Sequence, residues 1–406
     1  MKSNIRSNFQ NLIALSMVAG LSFLLFACGG GGGGGTSLTP VTSTSSESIL
    51  YNFGAPNSGD ANAPSADLVI DSNGNLYGTT GGGGANNTGA VFKITPSGTE
   101  TILHSFGPTG VTSDGAGPLA LVLDSSGNLY GTTYSGGSYG SGTVFKITPL
   151  GTETILYNFS ANPVGHLAID SSGNLYGTTQ SGGSYGSGTV FKITPLGTAT
   201  ILYNFTGPVP GGGLGAPSIG LVMDSSGNLY GAANEQFAPG YGLCGTNSGS
   251  PPTFAVFKLT SSGNLLSTIC ISPNLSELIV DNSGNLYATT SNTNVEIYKI
   301  TPAPAVFGLY SLSGDHTSSS TINHSDLVID GSGNLYGTTS NDGANGVGSV
   351  YKLTPAGAYI TLYSFKNSGD GAFPMAGLVM DSSGNLYGTT SLGGTNGGGT
   401  VFKITP

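Results

Sequence analysis

Tryptophan is absent from this 406-residue chain, charged side chains account for only 7% of it, and lysine and arginine together number ten. Against twenty acidic residues that leaves a formal charge of −10. Lys2 and Arg6 stand near the N-terminus, and seven of the other eight recur one at a time at matching positions: Lys93, Lys146, Lys192, Lys258, Lys299, Lys352 and Lys403. Single lysines spread in this way do not build the clustered patch that a phosphate backbone requires, so nucleic-acid binding is disfavoured. Electrostatic docking on anionic lipid is disfavoured for the same reason. Histidine is also scarce: His104, His166, His316 and His324 are scattered, and no serine sits in a strand-to-helix elbow. Nucleophilic catalysis of the triad type therefore has little support.

Glycine, by contrast, is abundant at 70 residues, and the hydrophobic fraction of 37% alternates instead of clustering, the composition of a folded, turn-rich β protein. The phrase DSSGNLYGTT at Asp381 to Thr390 returns with small changes at Asp71, Asp124, Asp170, Asp224, Asp281 and Asp330. Its intervals of 53, 46, 54, 57, 49 and 51 residues have the period of a four-stranded propeller blade, not of a helical solenoid. Leu378 to Met380 predicts a first strand, Asn385 to Thr390 a second and Thr400 to Thr405 a third, and Thr152 to Phe159 shows the fourth. Asp-Ser-Ser-Gly-Asn between strands reads as a tight hairpin whose aspartate accepts backbone N–H groups. A calcium loop is the alternative reading, and it lacks the bidentate acidic ligand such loops use.

The last module stops after its third strand, while Ile49 to Phe53 carries the fourth-strand pattern ahead of the first motif. The expected fold is thus all-β: a seven-bladed β-propeller of four-stranded blades over residues 46–406, its N-terminal strand closing the last blade. That closure pairs two edges that would otherwise invite aggregation.

Ahead of the repeats, Lys2 and Arg6 precede an apolar stretch from Leu12 to Phe26, which reads as a signal peptide over residues 1–27. Leu25, Phe26, Ala27 and Cys28 resemble the lipobox of bacterial lipoproteins, which implies lipidation of Cys28 after cleavage; an ordinary secretory signal with an incidental cysteine is the alternative. Gly29 lacks the aspartate that, by the same resemblance, would retain the protein at an inner membrane. Residues 28–45 hold a glycine run followed by Thr, Ser and Pro, a flexible tether. Its seventeen residues after the cysteine reach on the order of 20 to 25 Å. The expected address is the bacterial cell envelope, as an outer-membrane lipoprotein.

The ordered run LVxDSSGNLYGTT, Gly-rich loop, TVFKITP, ILYNF closely resembles the GloVer tandem repeat of bacterial exported, surface-anchored proteins, and more loosely NHL-type propeller blades. The resemblance spans about Ser46 to Pro406. It implies a propeller and an exported address, and it brings no catalytic residues.

Function is therefore sought where modules differ. Four residues before each motif aspartate, on the innermost strand, stand Asp67, Ala120, His166, Gly220, Glu277, Asp326 and Gly377. This position should ring the mouth of the central channel, where Asp67, His166, Glu277 and Asp326, with His324 nearby, form a possible divalent-metal or acid/base cluster. Loops on the same face offer Tyr134, Tyr139, Tyr185, Phe237 and Tyr241, suited to sugar stacking or protein contact, or else packed locally. The spacing GGSYGSG is followed by a strand, not the helix a phosphate cradle needs. Asp60, Asp114, Asp315 and Asp370 read as turn-capping groups. With Cys28 lipidated, Cys244 in the long blade-four loop and Cys270 are expected to form a disulfide. The expected function is a non-catalytic binding or scaffold module with a glycan or protein ligand; the rival is a metal-assisted hydrolase or lyase at the channel mouth.

Overall fold

The computed structural model describes residues 45–54, 60–64, 66–107, 114–207, 213–236, 254–271, 275–290, 296–303, 305–311 and 327–406. They form seven antiparallel four-stranded sheets, each a meander in chain order except the last. Blade 7 consists of Val379–Met380, Leu386–Thr390 and Thr400–Thr405, completed by Ser46–Asn52 from the N-terminus. Ser46 pairs with Thr405, Ile49 with Phe402 and Asn52 with Thr400, so the predicted closure is present in register. In blades 1 and 4 the innermost strand is split, into Ala61–Pro64 plus Val69–Ile70 and Gly213–Pro217 plus Val222–Met223.

The repeated phrase is a hairpin, and its hydrogen bonds explain its sequence. Asp381 Oδ1 accepts the N–H groups of Ser383 and Asn385, both at 2.9 Å. Its Oδ2 accepts Asn385 Nδ2 at 2.7 Å and the Tyr387 hydroxyl at 2.9 Å. The same set of four recurs at Asp71, Asp124, Asp170, Asp224, Asp281 and Asp330. Each carboxylate is therefore committed to the turn, which answers the calcium alternative. Burial alone would raise these aspartates, and the donors around them more than offset it, so all seven are held below the ordinary value. Each repeat lysine lies over the ring of that tyrosine, 5.0 to 5.7 Å from its centroid. The evenly spaced cations are thus used within their own blades.

Packing between blades rests on a second repeated pair. The buried third-strand phenylalanine lies over the glycine of Leu-Tyr-Gly-Thr-Thr; a Cβ on Gly177 would stand 2.5 Å from Phe191 Cζ and 2.8 Å from Leu167 Cδ2. That phenylalanine meets the fourth-strand phenylalanine of the preceding blade, giving Phe53–Phe92, Phe106–Phe145, Phe159–Phe191, Phe205–Phe257 and Phe365–Phe402 at 5.0 to 5.3 Å. The hydrophobic clusters accordingly join residues of adjacent blades, as where Phe53 and Val401 pack with Leu76 and Phe92.

Gly177→Ala should cost ~1–3 kcal/mol of stability through overpacking, read as a lower urea midpoint. The seven motif carboxylates make a further prediction. Their native values lie below the ordinary 3.8, so their contribution is complete above that pH and lost as pH falls below it. Melting temperature measured against pH should decline steeply in that acid window, and less so in Asp381→Asn.

Candidate functional site

Innermost strands of neighbouring blades touch one another around the axis, as Pro163–Ile169 of blade 3 touches Gly115–Leu123 of blade 2. Three of the four predicted axial departures converge there. His166 Nε2 lies 3.3 Å from Asp67 Oδ2 and 3.8 Å from Glu277 Oε2, so blades 1, 3 and 5 meet at one imidazole. Asp326 and His324 lie outside the described residues. Small residues make the convergence possible: a Cβ on Gly220 would fall 2.2 Å from His166 N, and Leu221 N donates to His166 O at 3.3 Å. Asp67 Oδ1 also accepts the N–H of Gly377 across the blade 7 to blade 1 boundary. Burial alone would lower the His166 pKa; the Glu277 and Asp67 carboxylates more than offset it, so the net direction is up. The geometry places the imidazole between two carboxylates, Asp67 and Glu277.

Loops between second and third strands lie on the same face as the loops between blades, since Gly137 N donates to Asp114 O and Gln180 N to Asn162 O. Tyr134, Tyr139 and Tyr185 stand on that face 63%, 69% and 61% exposed, which removes local packing as their explanation. Phe237, Tyr241, Cys28 and Cys244 lie outside the described residues. Cys270, on Leu265–Ile271, is disulfide-bonded.

The sequence reading missed a polar site on the seams between blades. At the seam of blades 7 and 1, the Tyr51 hydroxyl donates to Glu100 Oε2 at 2.8 Å and Asp60 Oδ1 at 3.2 Å. Between blades 6 and 7, Tyr363 donates to Asp370 Oδ2 at 2.7 Å beside Glu47. Between blades 1 and 2 the tyrosine is replaced by His104, 3.5 Å from Asp114 Oδ2 and 3.8 Å from Glu153 Oε2. Three of the aspartates accept backbone N–H groups as expected, Asp60 from Gly54 at 2.9 Å, Asp114 from Gly107 at 2.6 Å and Asp370 from Lys366 at 2.9 Å, while Asp315 lies outside the described residues. The available signal was glutamate: three of the chain's six occupy one fourth-strand position, Glu47, Glu100 and Glu153.

Where that position changes, the seam changes. Tyr359 occupies it in blade 6 and stacks on Tyr310 at 4.8 Å. Ala199 occupies it in blade 3, and a cleft of about 260 Å³ opens between blades 2 and 3. Tyr157, Phe159, Ser181, Phe191, Ala199 and Ile201 line it. Tyr185 rises from the loop that begins at Ser181, and Asn162 Nδ2 bonds the Tyr134 carbonyl at 3.0 Å, so exposed tyrosines flank this seam.

A family model described as the Gloeobacter/Verrucomicrobia repeat matches residues 14–244 and 240–406. No curated protein matches the chain. Among solved structures, the extracellular domain of a proposed one component system from B. thetaiotaomicron is 15% identical, with 90% of this chain and 42% of that one covered and a TM-score of 0.52. A gluconolactonase from Xanthomonas campestris is 15% identical over 69% of this chain and 82% of its own, with a TM-score of 0.42. At 15% identity the likeness to the extracellular domain is one of fold.

The seam glutamates carry a pH signature opposite to that of the motif aspartates. Burial pushes Glu100 from the ordinary 4.5 up to about 7, against the hydrogen bond from Tyr51. Its contribution to stability is therefore complete below 4.5 and lost as pH rises through about 7. Glu100→Gln keeps an acceptor for Tyr51 and does not ionise. It should lose less melting temperature than the wild type across that window and be the more stable form above it.

Proposed function

The chain belongs to the Gloeobacter/Verrucomicrobia repeat family, and from that premise we propose that it is an exported, lipid-anchored propeller serving as a non-catalytic glycan-binding module of the bacterial envelope. The observation that carries this reading is the exposure of Tyr134, Tyr139 and Tyr185, between 61% and 69%. These water-facing phenol rings, Tyr134 near the end of strand Leu129–Gly136 and Tyr139 and Tyr185 on glycine- and serine-rich loops, lose little conformational entropy on binding and offer a flat apolar face with a hydroxyl edge, which suits stacking on a sugar. The adjoining cleft of about 260 Å³ combines Tyr157, Phe159 and Ile201 with the Ser160, Ser181 and Thr200 hydroxyls. It lies below the ~300–1,000 Å³ of drug-sized pockets and suits one sugar ring at a chain end or branch. Cys28 would carry the lipid, and residues 29–45 would tether the propeller to the outer membrane.

A second reading, metal-assisted hydrolysis or elimination at the channel mouth, draws on the convergence of Asp67, His166 and Glu277. A divalent ion there would polarise a substrate oxygen or activate water.

On a glycan array the mature protein should retain a defined set of sugars, and Tyr139→Ala/Tyr185→Ala should weaken retention by tenfold or more with unchanged melting temperature. Retention of no sugar, or retention indifferent to both tyrosines, would sink the glycan reading; a ligand chemically converted by wild type and left intact by Asp67→Asn would favour the second. Cys28→Ser should move the protein from the membrane to the soluble fraction, and persistence in the membrane would remove the anchor.

A further inference from the structure

The seam between blades 1 and 2 differs from its sisters in one respect that bears on chemistry. In the sisters a tyrosine hydroxyl fills the space between an aspartate and a glutamate with ordinary hydrogen bonds, 2.8 and 3.2 Å at Tyr51. His104 leaves that space wider: Nε2 stands 3.5 Å from Asp114 Oδ2 and 3.8 Å from Glu153 Oε2. Nε2 is enclosed and makes no hydrogen bond of ordinary geometry, Asp114 Oδ2 at 3.5 Å being its nearest acceptor; this orphaned nitrogen is the difference, since Glu153 Oε1 lacks a partner just as Glu47 Oε1 and Glu100 Oε1 do in the sister seams. A buried polar atom left unpaired is costly, and a ligand that pairs it recovers that cost.

The spacing indicates what such a ligand would be. Among the described residues, His104, Asp114 and Glu153 bring three ligand atoms within 4.8 Å of one another. Around an ion with bonds of about 2.1 Å, neighbouring ligands of a tetrahedron stand roughly 3.4 Å apart, close to both separations here. One imidazole with two carboxylates suits zinc and similar first-row ions, whereas calcium and magnesium prefer oxygen ligands throughout. The ligands are also held in place. Asp114 accepts Gly107 N at 2.6 Å through Oδ2 and Gly115 N at 2.8 Å through Oδ1. The His104 ring meets Phe106 edge-on, 4.8 Å between centroids and 82° between planes. Both features restrict the ligating atoms before an ion arrives.

We propose that His104, Asp114 and Glu153 form a zinc-type divalent metal site that staples blade 1 to blade 2. His104 would ligate through Nε2 and the two acids through one oxygen each, with the fourth position open to water. Asp114 and Glu153 side chains remain 19% and 16% exposed, so the site is reachable from solvent without unfolding the seam. The site is independent of glycan binding and of the axial trio.

The test uses full-length mature protein stripped with a chelator and titrated with Zn²⁺ by calorimetry, with thermal melts in parallel. His104→Tyr installs the residue of the sister seams and should fold; Glu153→Gln removes one ligand at nearly constant shape. The wild type should take up one equivalent at micromolar concentration or better and melt higher with metal. Both seam variants should bind at least tenfold more weakly and lose the shift, while Asp67→Asn should keep both. Co²⁺ in place of Zn²⁺ should give the intense visible absorption of tetrahedral coordination in wild type and not in His104→Tyr. Absence of uptake by wild type, equal uptake by His104→Tyr, or loss of uptake in Asp67→Asn alone would each overturn the proposal.

Discussion

A four-stranded blade has two apolar faces and cannot cover either by itself, and every other feature of this molecule depends on how neighbouring blades cover them. The solution is an aromatic wedge. A third-strand phenylalanine such as Phe191 fits against its own blade because Gly177 leaves room, and its ring then meets Phe159 of the blade before, tilted at 52°. Each such pair contributes roughly 0.5–1.5 kcal/mol beyond the area it buries. Because burial is shared between blades, an open ring would leave one blade exposed on each side of the gap. The N-terminal strand removes that gap by joining the first residues of the propeller to the last, Ser46 opposite Thr405.

The same arrangement decides where variation is tolerated. Asp381, Tyr387 and Lys403 are bound to one another within their blade and have no freedom to serve a ligand. Three kinds of position remain: the axis, the loops of one face, and the outer seam beside each phenylalanine pair. At the seam a single fourth-strand residue changes the local chemistry, since glutamate gives a hydrogen-bonded acid pair, Tyr359 a stacked ring and Ala199 an open cleft. Chemical diversity is thus confined to sites the blade packing does not use.

What the sequence made legible follows the same division. Hairpins, blade count and closure could be read because the residues responsible are near neighbours; Asp381 and Tyr387 are six apart. Strand edges shifted slightly, the first strand of blade 7 beginning at Val379 and not Leu378. The axial cluster was also accessible, since counting four residues back from each motif aspartate keeps strict register along a short strand. His166 and Asp67 could be placed on one ring without knowledge of their separation. The seam escaped because its partners come from consecutive blades, Tyr51 and Glu100 being 49 residues apart. In one strand a glutamate four residues before a tyrosine looks like ordinary outward polarity. Only the lateral stacking of blades sets that glutamate against the tyrosine of the blade before.

The two histidine sites show that composition alone does not define a site. Each has one imidazole and two carboxylates, with nearly equal separations: 3.3 and 3.8 Å at the axis, 3.5 and 3.8 Å at the seam. At the axis three blades converge with His166 between them, and Asp67 is already engaged by Gly377 N, so the imidazole bridges groups that have other partners. At the seam both acids come from one side of a packed boundary that elsewhere closes on a tyrosine hydroxyl. Substituting His104 there replaces a donor that satisfies two acceptors with a nitrogen that satisfies none. A seam with an enclosed, unpartnered nitrogen facing two carboxylates gains from an ion what the sister seams gain from tyrosine.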